Sequence, residues 1–134
     1  MLFRNGSLAE WKIIPHTPLI RVTGQFNVNY DENATCPLIM AYMKSCELTQ
    51  NNIDVLTEYA GYCLTPDIRM QKALMLYGNG SNGKSVIINL LKIMFGKDYA
   101  SGETLQYLET KPYRVANLYG KRLNAFPDLG RPLI

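Results

Sequence analysis

The chain has 134 residues, the size of one ordinary domain, and its 47% apolar and 19% charged side chains are globular proportions that exclude a disordered or fibrous polymer. Its net charge of +3 is unevenly placed: residues 1–65 hold four basic and six acidic side chains, net −2, whereas residues 66–134 hold ten and five, net +5. The positive half suits a polyanionic ligand, triphosphate or nucleic acid, although a charge of that size is also ordinary for a solvated surface.

The first 37 residues alternate short β-favouring runs such as Leu19-Ile20-Arg21-Val22 with turn formers at Gly6-Ser7, Pro15, Pro18 and Asn29 to Asn33, a pattern that predicts an irregular or short-stranded lead-in. Pro37 then suits a first helical position, and Leu38, Ile39, Tyr42, Met43 and Cys46 follow at helical spacing. Thr49 is a cap for a second helix with an apolar stripe of Ile53, Leu56, Tyr59, Ala60 and Cys63, ended by Thr65-Pro66-Asp67. Met40, Tyr42, Met43 and Tyr59 read as core packing with no chemistry of their own.

Ala73-Leu74-Met75-Leu76-Tyr77 is a nearly continuous apolar run bounded by Gly78, which predicts a strand buried on both faces of a parallel sheet. After a glycine-rich stretch, Lys84 to Phe95 predicts a helix so apolar that it would be buried nearly all round, with Gly96 placed to end it. Residues 101–107 and 113–119 are less decisive, though Val115, Leu118 and Tyr119 can face a core from a short helix. Leu123-Asn124-Ala125-Phe126 predicts a second short strand ending at Pro127-Asp128. The expected architecture is an α/β fold, a P-loop parallel sheet, with residues 1–67 as lead-in and helical module and 68–134 as the first part of a nucleotide-binding domain.

The chemistry concentrates at Gly78-Asn79-Gly80-Ser81-Asn82-Gly83-Lys84-Ser85, which fits G-x-x-x-x-G-K-[ST]. A loop that wraps a β-phosphate must aim successive backbone N–H groups inward, so glycine is needed where φ is positive or a Cβ would strike the ligand. Gly78, Gly80 and Gly83 supply that freedom. Lys84 brings a point charge to the β- and γ-phosphate oxygens, the Ser85 hydroxyl can ligate Mg²⁺, and the helix that starts there adds unpaired N–H groups and a positive dipole end. The alternative is a glycine-rich turn that binds nothing.

The same octapeptide, with asparagine just before Gly-Lys-Ser, resembles the nucleotide loop of superfamily 3 helicases, particularly those of phage and plasmid primase-helicases. Asn29-Tyr30-Asp31 through Ala34, Cys36 and Pro37 resembles the opening of their pre-helicase helical domain, and Glu58 to Asp67 its closing helix. Ala116 to Asn124 is similar to the approach to their second nucleotide motif. The resemblance implies an AAA+-like ATPase module that binds ATP and Mg²⁺, assembles as a ring, usually a hexamer, and moves along single-stranded or forked DNA. It implies that Asp128, at the acidic end of the second strand, holds Mg²⁺ with Ser85 and acts with Lys84 in catalysis. It departs from the pattern in offering one carboxylate where many relatives carry two. It also implies that a sensor strand, an arginine and a DNA-gripping hairpin would follow Ile134. On that ground the chain is expected to bind ATP weakly and to lack turnover by itself.

Cys36, Cys46 and Cys63 are odd in number and lack C-x-x-C spacing, and His16 is the sole histidine, so neither a disulfide framework nor a zinc site is supported. All three cysteines read as small buried hydrophobes. No apolar run approaches 18 residues and no signal-peptide pattern opens the chain, so no membrane span and a reducing, cytoplasmic compartment are expected. Lys111, Arg114, Lys121, Arg122 and Arg131 are candidates to line a DNA path, with ordinary solvated cations as the stronger alternative. Other functions compatible with the loop are a non-motor remnant that binds nucleotide or partner subunits and, less well, a small-molecule kinase.

Overall fold

A computed structural model describes residues 2–4, 11–15, 17–19, 25–26, 28–79 and 82–126, the backbone alone for 2–4 and 11–13. The lead-in holds two short strands, β1 (Leu2–Arg4) and β2 (Trp11–Ile13), paired antiparallel with Leu2 opposite Ile13. Residues 20–22 of the second β-favouring run lie outside the described residues. At residues 31–34 the chain turns on Asp31, whose carboxylate accepts from the Asn33 N–H at 2.9 Å.

Two helices follow as expected. Helix α1 (Pro37–Ser45) begins on a proline whose missing N–H costs nothing there, and it ends at Cys46, with Glu47 in the left-handed region at φ 59°. Helix α2 (Gln50–Leu64) is capped by Thr49, whose hydroxyl accepts from the Asn52 N–H at 3.3 Å. Its stripe is buried at Ile53, Leu56 and Cys63 and half-buried at Tyr59 and Ala60. Helix α3 (Lys84–Tyr99) is interrupted by Gly96, whose φ of 69° and ψ of 175° are non-helical. That glycine therefore ends the regular run at Phe95, and a further turn carries the chain into β3 (Ala100–Ser101). Helix α4 (Leu105–Thr110) and a 3₁₀ segment (Pro112–Leu118) lead to β4 (Leu123–Asn124), which pairs parallel with β3, Ala100 opposite Leu123.

Two core clusters hold these parts together. In the first, Met43 of α1, Ile53 and Leu56 of α2 and Ile87 of α3 are buried, with Leu74, Leu76 and Leu91 packed against them. In the second, Cys63 of α2, Phe95 of α3 and Leu123 of β4 are buried among Phe26, Tyr59, Tyr99 and Ala125. Phe26 meets Phe95 edge-on at 5.7 Å between ring centroids, a favoured aromatic geometry. Each cluster draws residues from both sides of residue 67, so the helical module and the residues after it share their cores.

Several expectations are corrected. Residues 73–77 form no ladder among the described residues; Leu74 and Leu76 are half-buried while Met75 and Tyr77 are exposed, so the run is covered on one side and not two. Apolar character alone does not make a strand, which requires a hydrogen-bonded neighbour. Helix α3 is likewise not buried all round: Ile87 and Phe95 are buried, but Val86 is 51% and Ile93 78% exposed. Helices α1 and α2 and the short β3–β4 pair cover one face of α3, too little to enclose a cylinder about 10 Å across. Of the cysteines only Cys63 is buried; Cys46 is half-buried, and Cys36, at the residue before α1, is exposed. In the 3₁₀ segment and its cap Leu118 is half-buried, but Val115 and Tyr119 are exposed, so the three share no buried face. No described helix is long and apolar enough to cross a membrane.

Candidate functional site: a glycine loop closed by Lys84

The glycine-rich stretch joins the extended run 73–77 to the first turn of α3, and both ends are anchored. Leu74 and Leu76 hold one end in the first core cluster, and Ile87, one turn into α3, holds the other. Of the eight motif residues, Gly78, Asn79, Asn82, Gly83, Lys84 and Ser85 are described; Gly80 and Ser81 lie outside the described residues, as does Asp128.

Lys84 reaches back over the loop. Its ammonium donates to the carbonyl oxygens of Gly78 and Asn79, each at 2.9 Å, and to the Asn82 side-chain oxygen. An ammonium has three protons and no acceptor, so these partners match its whole donor set. The Asn82 amide lies over Gly78, at a place where any Cβ would collide with it. The described residues on both sides of the loop, Gly78 and Asn79 before and Asn82 after, thus meet at one cation.

Gly83 caps α3 in the left-handed region, φ 82°, and its carbonyl accepts from the N–H groups of Val86 and Ile87, both at 3.1 Å. The first turn is therefore formed, and the N–H groups ahead of those two are ones that an α-helix leaves without an intrahelical acceptor. The exposed Ser85 stands at the second helical position. One ammonium, helix-terminal N–H groups and a hydroxyl make a donor set suited to phosphate oxygens.

The divalent cation has less of its site in view. Ser85 supplies one oxygen, and among the described residues no group of three or more His, Cys, Asp or Glu side chains is arranged to hold a metal. Hydrogen-bond donors are thus gathered at one place, whereas the carboxylate that the sequence offers for a Mg²⁺ site, Asp128, lies outside the described residues.

Three of the other basic candidates, Lys111, Arg114 and Lys121, are engaged elsewhere. Arg114 pairs with Glu103 at 2.8 Å and stacks over Tyr107, with Lys111 over the same ring. Lys121 donates to the carbonyls of Lys97 and Asp98 at 2.7 and 3.1 Å, fixing the turn before β4. Arg122 is exposed, and Arg131 lies outside the described residues. Glu103 had no place in the sequence reading, yet it organises a polar cluster: its carboxylate also accepts from Asn117 at 2.8 Å, and its backbone exchanges two hydrogen bonds with the Asn124 side chain. The Asn117 amide and the Arg114 guanidinium hold its carboxyl below the ordinary glutamate range. Its only sequence signal is a lone acid between two short elements, which is indistinguishable from a solvated one.

A cavity of about 350 Å³ lies away from the loop, between residues 65–72 and the turn at Lys121-Arg122, with Tyr59 and Tyr62 in its wall. Burial raises the Tyr59 phenol and the Cys63 thiol there above their ordinary values, leaving both neutral and suited to packing. The donors suited to a triphosphate lie at the loop, which is the better candidate site. Comparison of the chain with protein-family models, curated proteins and solved structures finds no match.

Proposed function

We propose that the chain is the ATP-binding part of a replicative DNA helicase of the primase-helicase type, from a phage, virus or plasmid-like element. The observation that carries the first half of this reading is Lys84, drawn over the carbonyls of Gly78 and Asn79 at the entrance to α3. A γ- or β-phosphate oxygen entering the loop competes with those carbonyls for the ammonium protons, and a charged acceptor wins over a neutral one in such an exchange. The helicase half rests on the sequence resemblance around residues 29–37, 58–67 and 116–124.

In this reading Lys84 and the first-turn N–H groups bind and orient the triphosphate, and Ser85 with Asp128 holds Mg²⁺. That ion supplies charge neutralisation at the phosphates. DNA and neighbouring copies in a ring are the partners. A second reading, nucleotide or partner binding without turnover, is favoured by apolar side chains that stay uncovered on α3 and on 73–77, namely Val86, Ile93, Met75 and Tyr77. ATP turnover measured with and without single-stranded DNA separates the two. Turnover raised by DNA is the outcome for a motor; MgATP binding with no turnover in either condition selects the second reading.

A further inference from the structure

The sequence reads Tyr42 as an ordinary core side chain, but it does more than fill space. Tyr42 and Cys46, four residues apart and so on one face of α1 and its cap, meet at Gly83. The Tyr42 hydroxyl lies 3.5 Å from the Gly83 carbonyl oxygen, and a Cβ placed on Gly83 would come within 2.5 Å of the Cys46 sulfur and 2.7 Å of the Tyr42 oxygen. No real Cβ tolerates such distances. The positive φ favours glycine at Gly83, and a Cβ there would also force the Tyr42 or Cys46 side chain out of its present place.

We infer that Tyr42 and Cys46 are positioning residues for the phosphate loop, forming a seat that fixes Gly83 and, through it, the first N–H groups of α3 and the root of Lys84. This deepens the nucleotide-loop reading and rests on it. The seat is rigid because its neighbour Met43 is buried in the same core cluster as Ile87 of α3, so α1 and the first turn of α3 are held by packing on one side and by the seat on the other. At 3.5 Å the hydroxyl is a weak hydrogen-bond donor, so shape carries most of the effect. Triphosphate binding depends on donors placed to within fractions of an ångström, and a misplacement of about 1 Å can cost up to about a hundredfold.

The test is calorimetric titration of MgATP into the unaltered chain and into Lys84→Ala, Tyr42→Phe and Tyr42→Ala, with a melting temperature for each. Tyr42→Ala is expected to weaken MgATP binding about tenfold or more, under conditions where the variant is folded. Tyr42→Phe, which keeps the ring, is expected to stay within about threefold of the unaltered chain. A merely structural tyrosine would lower the melting temperature and leave the affinity of the folded protein unchanged. The unaltered chain also gives a reading that no misfolding can spoil: MgATP should slow alkylation of half-buried Cys46 severalfold while leaving exposed Cys36 unaffected. If binding is lost in Lys84→Ala, yet Tyr42→Ala binds within about twofold of the unaltered chain and Cys46 labelling ignores nucleotide, the seat is overturned and the loop reading survives. No binding by the unaltered chain overturns both.

Discussion

Glu103 illustrates how a single residue can fix two segments distant in sequence. Its carboxylate joins Arg114 and Asn117 of the 3₁₀ segment, and its backbone joins Asn124 of β4. The folded-state pKa is depressed, so the charged form contributes stability that is fully present above the unfolded pKa, about 4.3, and is lost as the pH falls through the folded value. Glu103→Gln should accordingly lower the melting temperature at pH 7. The gap between the two proteins should narrow steadily below about pH 4.5. Melting curves from pH 7 to 3 check this; a gap independent of pH would assign the effect to shape and not to charge. Lys84 works differently, since its partners are the carbonyl oxygens of Gly78 and Asn79 and the side-chain oxygen of Asn82, all within its own loop. Its value lies in what can displace those carbonyls.

At the scale of elements, stability should follow burial. Ile53 of α2 is 1% exposed and sits among Met43, Leu56 and Ile87, whereas Val55, two residues on, is 46% exposed. Ile53→Ala should cost about 2 to 5 kcal/mol, from lost transfer and the cavity left behind, and Val55→Ala less than about 1. Denaturant midpoints at constant m-value measure both. The helices were legible because their signals are local: Pro37 at a first position, Thr49 as a cap, a 3.6-residue stripe over 53–63, Gly96 as a break. The residues around 123 were legible as a strand for a similar reason. What a sequence cannot give locally is a partner. Among the described residues the run 73–77 has a strand's composition but no neighbour in either sheet, and Val86 and Ile93 on α3 are left exposed by the elements that pack against that helix. The loop residues themselves were legible from spacing, but Tyr42 was not. Its role depends on a contact 41 residues away in sequence, and its local pattern is that of any amphipathic helix.

For the whole molecule, the two core clusters bind the chain before residue 67 to the chain after it, so the loop is supported by elements on both sides of that point. Two cations of the positive second half are engaged within the fold, Arg114 by Glu103 and Lys121 by backbone carbonyls. Lys84 differs from these cations in standing at a helix start beside helix-terminal donors. The most direct measurement is therefore calorimetric titration of ATP with Mg²⁺ into the unaltered chain and into Lys84→Ala, with melting curves for both. The prediction is saturable binding by the first, a loss of at least about tenfold in affinity in the second, and closely similar melting temperatures, because Lys84 acts on the ligand and does not pack in either core. Equal affinities in the two proteins, or binding by neither, would contradict it.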